Sequence, residues 1–383
     1  MEKSFENLKI NEKIISGLNA MGIKEPTELE KYGVEIQEKI IPLALEKTNL
    51  IGQSETGTGK TLAYLLPIIE NIDINKKEMQ CIILAPTHEL AIQINNTINE
   101  VKKASGLEIT STPLIGSANI KRQIDNLKAK PHILVGSAGR ILELIRKKKV
   151  SAHTIKTIVI DEVDKLLDKN NLPTVKDIIK VTPKQTQIMM FSATLNGKTL
   201  DIAKTLAEDI NVVSVKNNKV NENINHNYIK TDSRKKVETL RKLLNALKSP
   251  KVLVFNNDSY TTNTSVEYLS FNNVKVAAIG GNGKMEDRKR ALENFRKGKI
   301  NVLIASDIAA RGLDIKGVTH VVNFDIPEDS KDYLHRAGRV GRAGESGEVF
   351  SLVDDKEENI IKMHENSFKI SITERILYRG TIE

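Results

Sequence analysis

Short runs of apolar, largely β-branched residues recur along the chain, and longer amphipathic stretches separate them. The runs of the first half are NLIGQS (49–54), CIILAP (81–86), HILVGS (132–137), TIVIDE (157–162) and QIMMFS (187–192). The stretches between them, such as 62–71 and 88–104, have the pattern of helices. Continuously apolar strands that alternate with helices are typical of a parallel sheet covered on both faces. The pattern therefore predicts an α/β fold.

This alternation pauses once, in the polar, asparagine-rich segment 215–227, and then resumes. The later runs are KVLVF (251–255), KVAAIG (275–280), NVLIAS (301–306) and HVVNFD (320–325). A chain of 383 residues suits two domains of ordinary size. We predict an N-terminal domain over 1–215, a linker over 216–223 and a C-terminal domain over 224–383, in which 357–383 adds a final helix and strand.

Composition narrows the class of protein. Hydrophobic residues make up 39% and charged residues 28%, no apolar run approaches membrane-spanning length, and the N-terminus lacks a secretory pattern. We expect a cytoplasmic protein without membrane contact. The single cysteine, Cys81, excludes an internal disulfide or a cysteine-based zinc site. The net charge of +9 suggests a polyanionic partner, and with 4% aromatic residues the phosphate backbone should supply most of the affinity.

A glycine-rich segment follows the first apolar run and precedes a helix. It consists of Ser54, Glu55, Thr56, Gly57, Thr58, Gly59, Lys60 and Thr61. In this context, backbone N–H groups can surround phosphate oxygens at a helix N-terminus. We expect Lys60 to reach the β- and γ-phosphates and the Thr61 hydroxyl to hold Mg²⁺. The alternative is a glycine-rich turn that binds nothing, but the order of strand, loop and helix favours the phosphate site.

Acidic residues end another strand. Asp161, Glu162 and Asp164 follow the run TIVI, and carboxylates at strand carboxyl ends face the ligand crevice of an open parallel sheet. We expect Asp161 to position Mg²⁺ and Glu162 to orient or deprotonate the attacking water. Taken alone, a solvated acidic turn would be as good an interpretation. Together with the phosphate loop, the two segments predict an ATP-hydrolysing site that uses Mg²⁺.

With these motifs the chain resembles the DEAD-box RNA helicases of helicase superfamily 2 over nearly its whole length. The signature tetrapeptide is DEVD here, with Val163 where alanine is usual. Ser192 and Thr194 match a Ser-Ala-Thr element that couples hydrolysis to strand separation in the family, a role that extends to Asp164 and His335. The resemblance implies two tandem RecA-like domains, each a parallel sheet flanked by helices, joined by a short linker.

The resemblance also implies RNA contacts. These fall on Pro86, Thr87, His88, Gly116, Ser137, Gly139 and Arg140 in the first domain, and on Ser306 and Arg311 in the second. Three elements depart from the family pattern: His88 replaces an arginine, Gly116-Ser117 replaces Gly-Gly, and Ser-Ala-Gly-Arg replaces Thr-Pro-Gly-Arg. Because histidine is mostly neutral at pH 7, a weaker grip on phosphate than is usual in the family would follow.

The family reads adenine through a glutamine, and Gln37 stands at the matching distance of 23 residues before Lys60. Its amide can both donate to and accept from the N6 and N7 edge of the base. Phe5 is predicted to stack on the base. Eight residues separate Pro26-Thr27 from Ile36-Gln37 where the family usually has one, so seven additional residues either extend a helix or form a loop.

The second domain carries SDIAARGLD (306–314) and HRAGRVGR (335–342). The resemblance implies that Asp314 binds the ribose of ATP. Arg339 and Arg342 are three residues apart, so on one turn of helix both would point at the γ-phosphate. The alternative is a solvated basic helix end. Because the phosphate loop and the arginines belong to different domains, hydrolysis should require closure, which ATP and RNA would promote together.

The leading hypothesis is thus an ATP-dependent RNA helicase that locally remodels short duplexes. One alternative is an ATP-gated RNA clamp with little unwinding, which the altered RNA elements suggest. Others are a DNA helicase of the same superfamily and, more remotely, an inactive ATPase. We expect a monomer. Because little of the chain remains for a separate targeting domain, we expect RNA targeting to come from protein partners or to be broad.

Overall fold

The computed structural model describes residues 5–23, 34–54, 59–116, 118–193, 195, 197–215, 223–248, 251–280, 285–310, 317–341 and 346–383. The chain divides into two compact units, Met1–Asn217 and Asn218–Glu383. The division falls within the segment predicted to be a linker. The additional residues predicted between Pro26 and Gln37 lie mostly outside the described ranges.

The first unit is built on a seven-stranded sheet in which every pairing is parallel. Its strands are β1 (Leu50–Gln53), β2 (Cys81–Leu84), β3 (Ser111–Leu114), β4 (Ile133–Gly136), β5 (Thr157–Asp161), β6 (Gln187–Ser192) and β7 (Asn211–Ser214). Their order across the sheet is β3-β4-β2-β5-β6-β1-β7. All carboxyl ends therefore lie along one edge.

Helices connect these strands. They are α1 (Glu12–Ala20), α2 (Val34–Leu45), α3 (Lys60–Asn71), α4 (His88–Ser105), α5 (Ile120–Leu127), α6 (Ala138–Arg146), α7 (Val163–Leu166), α8 (Leu172–Lys180) and α9 (Gly197–Lys204), with 3-10 turns at Phe5–Leu8 and Ala152–Thr154. The two helices predicted from the pattern correspond to α3 and α4. Helix α4 is bounded by the Thr87 side chain, which accepts a hydrogen bond from the Leu90 N–H, and by Gly106 in the left-handed conformation.

Successive strand residues supply two apolar cores, one for each face of the sheet. Ile83 packs in one cluster, whereas Ile82 and Leu84 pack in the other. Cys81, at the start of β2, is 1% exposed, and burial raises the pKa of its thiol. The alternation of fully buried strand residues explains why these segments appear as unbroken apolar runs in the sequence.

The second unit repeats this arrangement with its own sheet. Its strands are β8 (Ile224–Lys230), β9 (Val252–Phe255), β10 (Val276–Ile279), β11 (Val302–Ala305), β12 (His320–Asn323), β13 (Gly347–Val353) and β14 (Thr373–Glu374). Their order, β10-β11-β9-β12-β13-β8-β14, is the same as in the first unit when the strands of each sheet are numbered from its first. A short antiparallel hairpin, β15 (Leu377–Tyr378) and β16 (Thr381–Ile382), follows.

The helices of this unit are α10 (Lys236–Leu247), α11 (Ser259–Phe271), α12 (Met285–Arg296), α13 (Asp307–Ala310), α14 (Ser330–Ala337) and α15 (Glu358–Phe368), with a 3-10 turn at Ser233–Lys235. Two expectations need correction. The polar segment 215–227 already contains the start of β8, because His226 and Asn227 are buried strand residues. The end of the chain forms the predicted helix, α15, but three short strands follow it instead of one.

Among the residues that the structure describes, no helix combines the length and apolar character needed to cross a bilayer.

Candidate nucleotide and RNA sites

The phosphate loop leaves β1 at the carboxyl edge of the first sheet. Ser54 is buried, and its N–H donates to the carbonyl of Ser192 at the end of the neighbouring strand β6 (3.1 Å). Gly59 takes a left-handed conformation (φ +80°) and precedes the first residue of α3, Lys60. The Lys60 ammonium donates to the Ser54 carbonyl. The Lys60 side chain thus reaches back to the residue that follows β1. Glu55, Thr56, Gly57 and Thr58 lie outside the described residues.

Asp161 ends β5, and its carboxylate is 6% exposed. The Tyr64 hydroxyl donates to Oδ2 (3.0 Å), and the Glu162 N–H donates to Oδ1 (2.9 Å). Burial raises the pKa of Asp161, while the positive charge of Lys60 and these two hydrogen bonds oppose the rise. The pKa of Tyr64 is well above its ordinary value because the ring is buried beside this carboxylate. The structure therefore places the carboxylate predicted to position Mg²⁺ near the lysine predicted to bind phosphate.

Thr61 lies on the first turn of α3, near enough to the Tyr64 hydroxyl to oppose the rise in the pKa of that phenol. Tyr64 therefore lies close to both side chains predicted to serve Mg²⁺, Thr61 and Asp161. Carboxylate and hydroxyl oxygens are the hard donors that Mg²⁺ prefers, and Mg²⁺ commonly takes only one or two protein ligands beside phosphate oxygens and water. The residues present fit that ion.

Glu162 joins β5 to α7 in a left-handed backbone conformation (φ +53°, ψ 58°). This conformation costs a non-glycine residue about 1 kcal/mol and is concentrated at functional sites. The neighbouring Val163, which stands where alanine is usual in the family, is fully buried. Asp164 accepts a hydrogen bond from the Ser192 hydroxyl (2.8 Å), which connects the acidic segment to the Ser-Ala-Thr element. Thr194 lies outside the described residues.

Gln37 lies in α2 and is 1% exposed. Its Nε2 donates to the carbonyl of Gly59 (3.1 Å), so the amide is held against the end of the phosphate loop. Its Oε1 is buried and has no hydrogen-bond partner within the described part of the chain. A buried carbonyl oxygen without a donor is costly, and an adenine amino group would supply that donor.

The Phe5 ring has no face that is open to a ligand. Its ring is 1% exposed and packs in the apolar core of the first unit. The prediction that Phe5 stacks on the base therefore receives no support from its location, because a ring enclosed by core side chains presents no face to a ligand. The assignment came from the aromatic residue that the family carries in its adenine-reading element, and an aromatic ring suits a core as well as a ligand.

The elements predicted to contact RNA follow β2, β3 and β4, on the same edge as the phosphate loop. Ser137 precedes α6 without capping it, and Gly139 is exposed. Gly136 allows β3 and β4 to approach closely, since a Cβ there would lie 2.0 Å from the Leu114 carbonyl oxygen. A Cβ at Gly116 would lie 3.5 Å from the His88 ring nitrogen. The structure thus gathers Pro86 to His88, Gly116 and Ser137 to Arg140 on neighbouring strand ends.

Arg140 is used differently from the prediction. Its guanidinium donates to the backbone carbonyls of Ile115 (3.0 Å), Gly116 (2.9 Å) and Ala118 (3.2 Å), and to the Glu143 carboxylate (3.1 Å). The side chain is 10% exposed. These bonds occupy four of its five N–H groups, so Arg140 holds a turn of the protein instead of presenting an open cation.

In the second unit, Ser306 follows β11, and its hydroxyl accepts a hydrogen bond from the Ala309 N–H (3.2 Å). Arg336 of α14 is 2% exposed and makes a bidentate pair with Asp307 (2.7 and 2.6 Å), with its guanidinium over the Phe255 ring. This pair ties the SDIAARGLD segment to the HRAGRVGR segment. Arg311, Asp314 and Arg342 lie outside the described residues.

The helix that was expected to carry both arginine fingers is shorter than predicted. Helix α14 contains His335 but ends at Ala337, so Arg339 lies in the turn that follows it. Gly338 is poorly suited to a helix, and Gly341 has a left-handed conformation (φ +65°). The interpretation that Arg339 extends a helical turn is therefore wrong, and glycine is the reason.

Three residues of these sites escaped the sequence interpretation: Tyr64, Gln123 and Arg336. Tyr64 stands one helical turn after Lys60, a spacing that places both on the same face of a helix starting at the loop. Gln123 donates to the carbonyls of Ile115 (2.9 Å) and Ala118 (3.2 Å) and has no comparable signal. Arg336 lies inside a recognised element, but its burial depends on the fold.

Comparisons with known proteins agree with this geometry. The DEAD/DEAH box helicase family matches residues 34–203, and the helicase conserved C-terminal domain matches residues 235–344. The DEAD-box ATP-dependent RNA helicase CshC of Bacillus cereus is 39% identical over 360 residues, 94% of this chain and 90% of that protein. The probable ATP-dependent RNA helicase YfmL of Bacillus subtilis is 39% identical over 366 residues, 95% of this chain and 94% of that protein.

Among solved structures, that of S. cerevisiae Dbp5 bound to RNA and ADP BeF3 is similar with a TM-score of 0.87 and 30% identity, over 97% of this chain and 95% of that one. The fold prediction is confirmed: the two units are tandem RecA-like domains. With two family matches and full-length relatives at this identity, the chain belongs to the DEAD-box ATP-dependent RNA helicases of helicase superfamily 2.

Proposed function

We propose that this chain couples ATP binding and hydrolysis to local unwinding or remodelling of RNA. One observation carries the proposal: a single edge of the first sheet holds both sets of predicted groups. The phosphate loop, the DEVD segment and Ser192 follow β1, β5 and β6, and the predicted RNA elements follow β2, β3 and β4. Nucleotide and RNA would therefore bind side by side on one rigid scaffold.

For ATP, Lys60 would exchange the Ser54 carbonyl for phosphate oxygens, and Gln37 would offer its buried Oε1 to the adenine amino group. Asp161 and Thr61 would hold Mg²⁺, which when bound neutralises phosphate charge and orients the γ-phosphate. Glu162 would align the attacking water and accept its proton. Gly59 and the loop that precedes it would provide backbone N–H donors to phosphate.

The second unit would complete the reaction. Asp314 would bind the ribose, and Arg339 and Arg342 would stabilise the charge that develops on the γ-phosphate. RNA held by both units, through Ser306 and Arg311 in the second, would favour the arrangement in which these arginines reach ATP. By linkage, ATP would then raise RNA affinity by the same factor as RNA raises ATP affinity.

Recognition would rest on the RNA backbone. Thr87, Gly116, Ser137 and Gly139 offer hydroxyl and backbone N–H groups to phosphates, and His88 lies among them. Dbp5, which is similar over 97% of this chain, has been solved with RNA and a nucleotide analogue together, which supports simultaneous binding. An ATP-gated clamp is the second candidate, favoured by the replacement of the family's arginine with His88.

The test is displacement of a short RNA duplex carrying a single-stranded extension. We expect ATP-dependent displacement over many turnovers, and ATPase activity that single-stranded RNA stimulates far more than DNA of the same sequence. RNA-stimulated hydrolysis without displacement would favour the clamp, and equal stimulation by DNA would contradict the RNA assignment.

Glu162→Gln provides the matched catalytic control. It should bind ATP and RNA but lose turnover by on the order of a hundredfold or more, because the water loses its proton acceptor. Nucleotide affinity is measured by equilibrium binding and turnover by phosphate release. Unchanged turnover would remove Glu162 from the mechanism.

The cytoplasmic location, the monomeric state and the use of protein partners for targeting remain predictions that accompany this proposal.

A further inference from the structure

The turn between β3 and α5 is held from one side by two polar side chains. Arg140 donates to the carbonyls of Ile115, Gly116 and Ala118, and Gln123 donates to those of Ile115 and Ala118. Five hydrogen bonds of 2.9–3.2 Å thus converge on three carbonyl oxygens. The turn could not reorient without breaking most of them at once.

Both side chains are largely withdrawn from water. Gln123 is 4% exposed and Arg140 is 10% exposed, and Glu143 balances the arginine charge at 3.1 Å. A bond made away from water holds geometry more firmly than a surface bond, since water does not compete for the donor. Gln123 and Arg140 therefore form what we call the turn clamp.

Gly116 itself is accessible to solvent. It is exposed, and its N–H donates to no acceptor within the described part of the chain. This N–H is therefore available to a ligand just before the N-terminus of α5. An available N–H beside a helix N-terminus is a common phosphate contact.

We infer that Gln123 and Arg140 are positioning residues that orient the Gly116 turn for an RNA phosphate, and that Arg140 does not act as a direct ionic contact. The inference rests on the proposed RNA site at Gly116. It changes the role predicted for Arg140 and adds Gln123, which no recognised motif contained.

Replacement of Arg140 by lysine distinguishes the turn clamp from a direct contact between Arg140 and an RNA phosphate. A planar guanidinium reaches three carbonyls and a carboxylate at once, whereas the lysine ammonium concentrates three donors at one point. Lysine would keep the charge but lose the clamp. A direct phosphate contact, in contrast, depends mainly on charge and would tolerate lysine better. Binding through an oriented backbone N–H should also leave the salt dependence of binding almost unchanged, because no protein cation is lost.

The experiment compares Gln123→Met, Arg140→Lys, Arg140→Gln and the double variant Gln123→Met/Arg140→Lys. Matched controls are Gln185→Met and Arg146→Lys, which alter an exposed glutamine and an exposed arginine. Affinity for a radiolabelled single-stranded RNA is measured by filter binding with ADP–beryllium fluoride over a series of salt concentrations. Thermal melting verifies that each variant folds.

Each clamp variant should weaken RNA binding about tenfold, with no change in the slope of log affinity against log salt. The double variant should lose little more than either single variant, since both side chains hold the same turn. In ATPase assays the loss should fall on the KM for RNA, while kcat at saturating RNA changes little. The controls should behave as the wild type.

A direct arginine contact would give the opposite pattern: no effect of Gln123→Met, near-normal binding by Arg140→Lys, and a salt slope lowered by about 0.7 in Arg140→Gln. That pattern would overturn the inference that Gln123 and Arg140 act as a turn clamp. If Arg140→Lys does not fold, Gln123→Met decides alone, because methionine keeps the buried volume.

The experiments distinguish an error in the turn-clamp inference from an error in the proposed function. Wild-type protein that binds RNA but displaces no strand would contradict the proposed function, but it would not contradict the role of the turn clamp formed by Gln123 and Arg140. Clamp variants that bind RNA as the wild type does, while displacement persists, would overturn only the clamp. A wild type that binds no RNA would overturn both.

Discussion

The buried carboxylate of Asp161 depends on donors that offset the cost of its burial. Removal from water raises its pKa, and the nearby charge of Lys60 and hydrogen bonds from Tyr64 and the Glu162 N–H lower it again. A protonated Asp161 would be a poor ligand for a divalent cation. The phenol of Tyr64 therefore supports the site although it would contact neither nucleotide nor RNA.

Tyr64→Phe tests this dependence. Loss of the donor should raise the pKa of Asp161 further, so that the carboxylate is ionised over a narrower range of pH. We expect the acid limb of the ATPase profile to move to higher pH. The Mg²⁺ concentration for half-maximal activity should rise several-fold, because the variant lacks one charge-assisted hydrogen bond to the carboxylate.

The measurement is ATPase activity against pH and against Mg²⁺ at fixed ATP. Tyr268→Phe, which alters a partly exposed tyrosine on α11, is the matched control and should leave both profiles unchanged. An unchanged Mg²⁺ requirement in Tyr64→Phe would show that Asp161 needs no support from the phenol.

Sequence alone was sufficient to locate residues that stand beside a local marker. Lys60, Asp161 and Glu162 stand at fixed distances from glycines or strand ends, so their places follow from the chain itself. Phe5 and Arg140 were harder, because an aromatic ring or a guanidinium suits a core or a turn as well as a ligand. Which role each takes depends on neighbours more than twenty residues away, as the Arg140 bonds to the Gly116 turn illustrate.

At the scale of elements, Gly136 determines how strand β4 meets strand β3. A Cβ at this position would lie 2.0 Å from the Leu114 carbonyl oxygen, within the backbone of the neighbouring strand. Backbone atoms cannot move aside as the end of a flexible side chain can. A methyl group at this position would therefore weaken the pairing between β4 and the edge strand β3.

Gly136→Ala should therefore lower the free energy of unfolding by about 1–3 kcal/mol. Gly139→Ala is the matched control, because no atom lies within 4 Å of a Cβ there. It should leave stability unchanged but weaken RNA binding if this part of α6 approaches a phosphate. Denaturant unfolding and RNA binding are measured for both variants. Equal stability of the two would contradict the close-approach argument.

Central strands were predictable because burial on both faces leaves an unbroken apolar run. Edge strands were not: β3 contains Pro113, which an edge tolerates, and β7 has partly exposed residues throughout. Strand β8 was concealed for a different reason, since its buried residues include His226 and Asn227. A polar residue inside a sheet is specified by a partner elsewhere in the chain, here the Tyr333 hydroxyl at 2.9 Å from His226.

At the scale of the whole molecule, the two units share one strand order but carry different chemistry. The first holds the phosphate loop and the acidic segment, and the second holds the arginines. This division was predictable from the motifs, whereas the turn in which Arg339 lies was not, because spacing alone does not reveal where a glycine ends a helix.

Arg339→Ala should lower kcat by roughly a thousandfold or more while changing ATP affinity little, as expected for a residue that stabilises charge only in the transition state. Steady-state kinetics with saturating RNA, together with nucleotide binding at equilibrium, separate the two effects. A loss confined to affinity would argue that Arg339 binds ground-state ATP and is not a finger.

The second unit should also be sensitive to acid. Burial lowers the pKa of His226 to about 4 from an ordinary value of 6.5. Between these values the unfolded chain binds a proton that the folded protein does not, so protons favour unfolding there. Stability is therefore retained above about pH 6.5 and falls as pH drops toward 4, by about 2 kcal/mol between pH 7.5 and 5.

Urea unfolding at several pH values checks this, with His226→Asn as the comparison. The variant should lose part of the acid dependence whatever its stability at pH 7.5. The same acid dependence in both proteins would assign the effect to other groups, among them His132, His320 and His364, whose pKa values are also lowered by burial.

Cys81 is the only thiol of the chain, and it is buried in β2 with a raised pKa. Maleimide dyes attack exposed thiolates, so the native thiol would stay unlabelled in the folded protein. Cysteines introduced at exposed positions such as Gln185 and Glu267 could then carry a donor and an acceptor dye without prior removal of Cys81. Energy transfer between the dyes would report, in single molecules, whether the two halves approach each other when ATP and RNA are added.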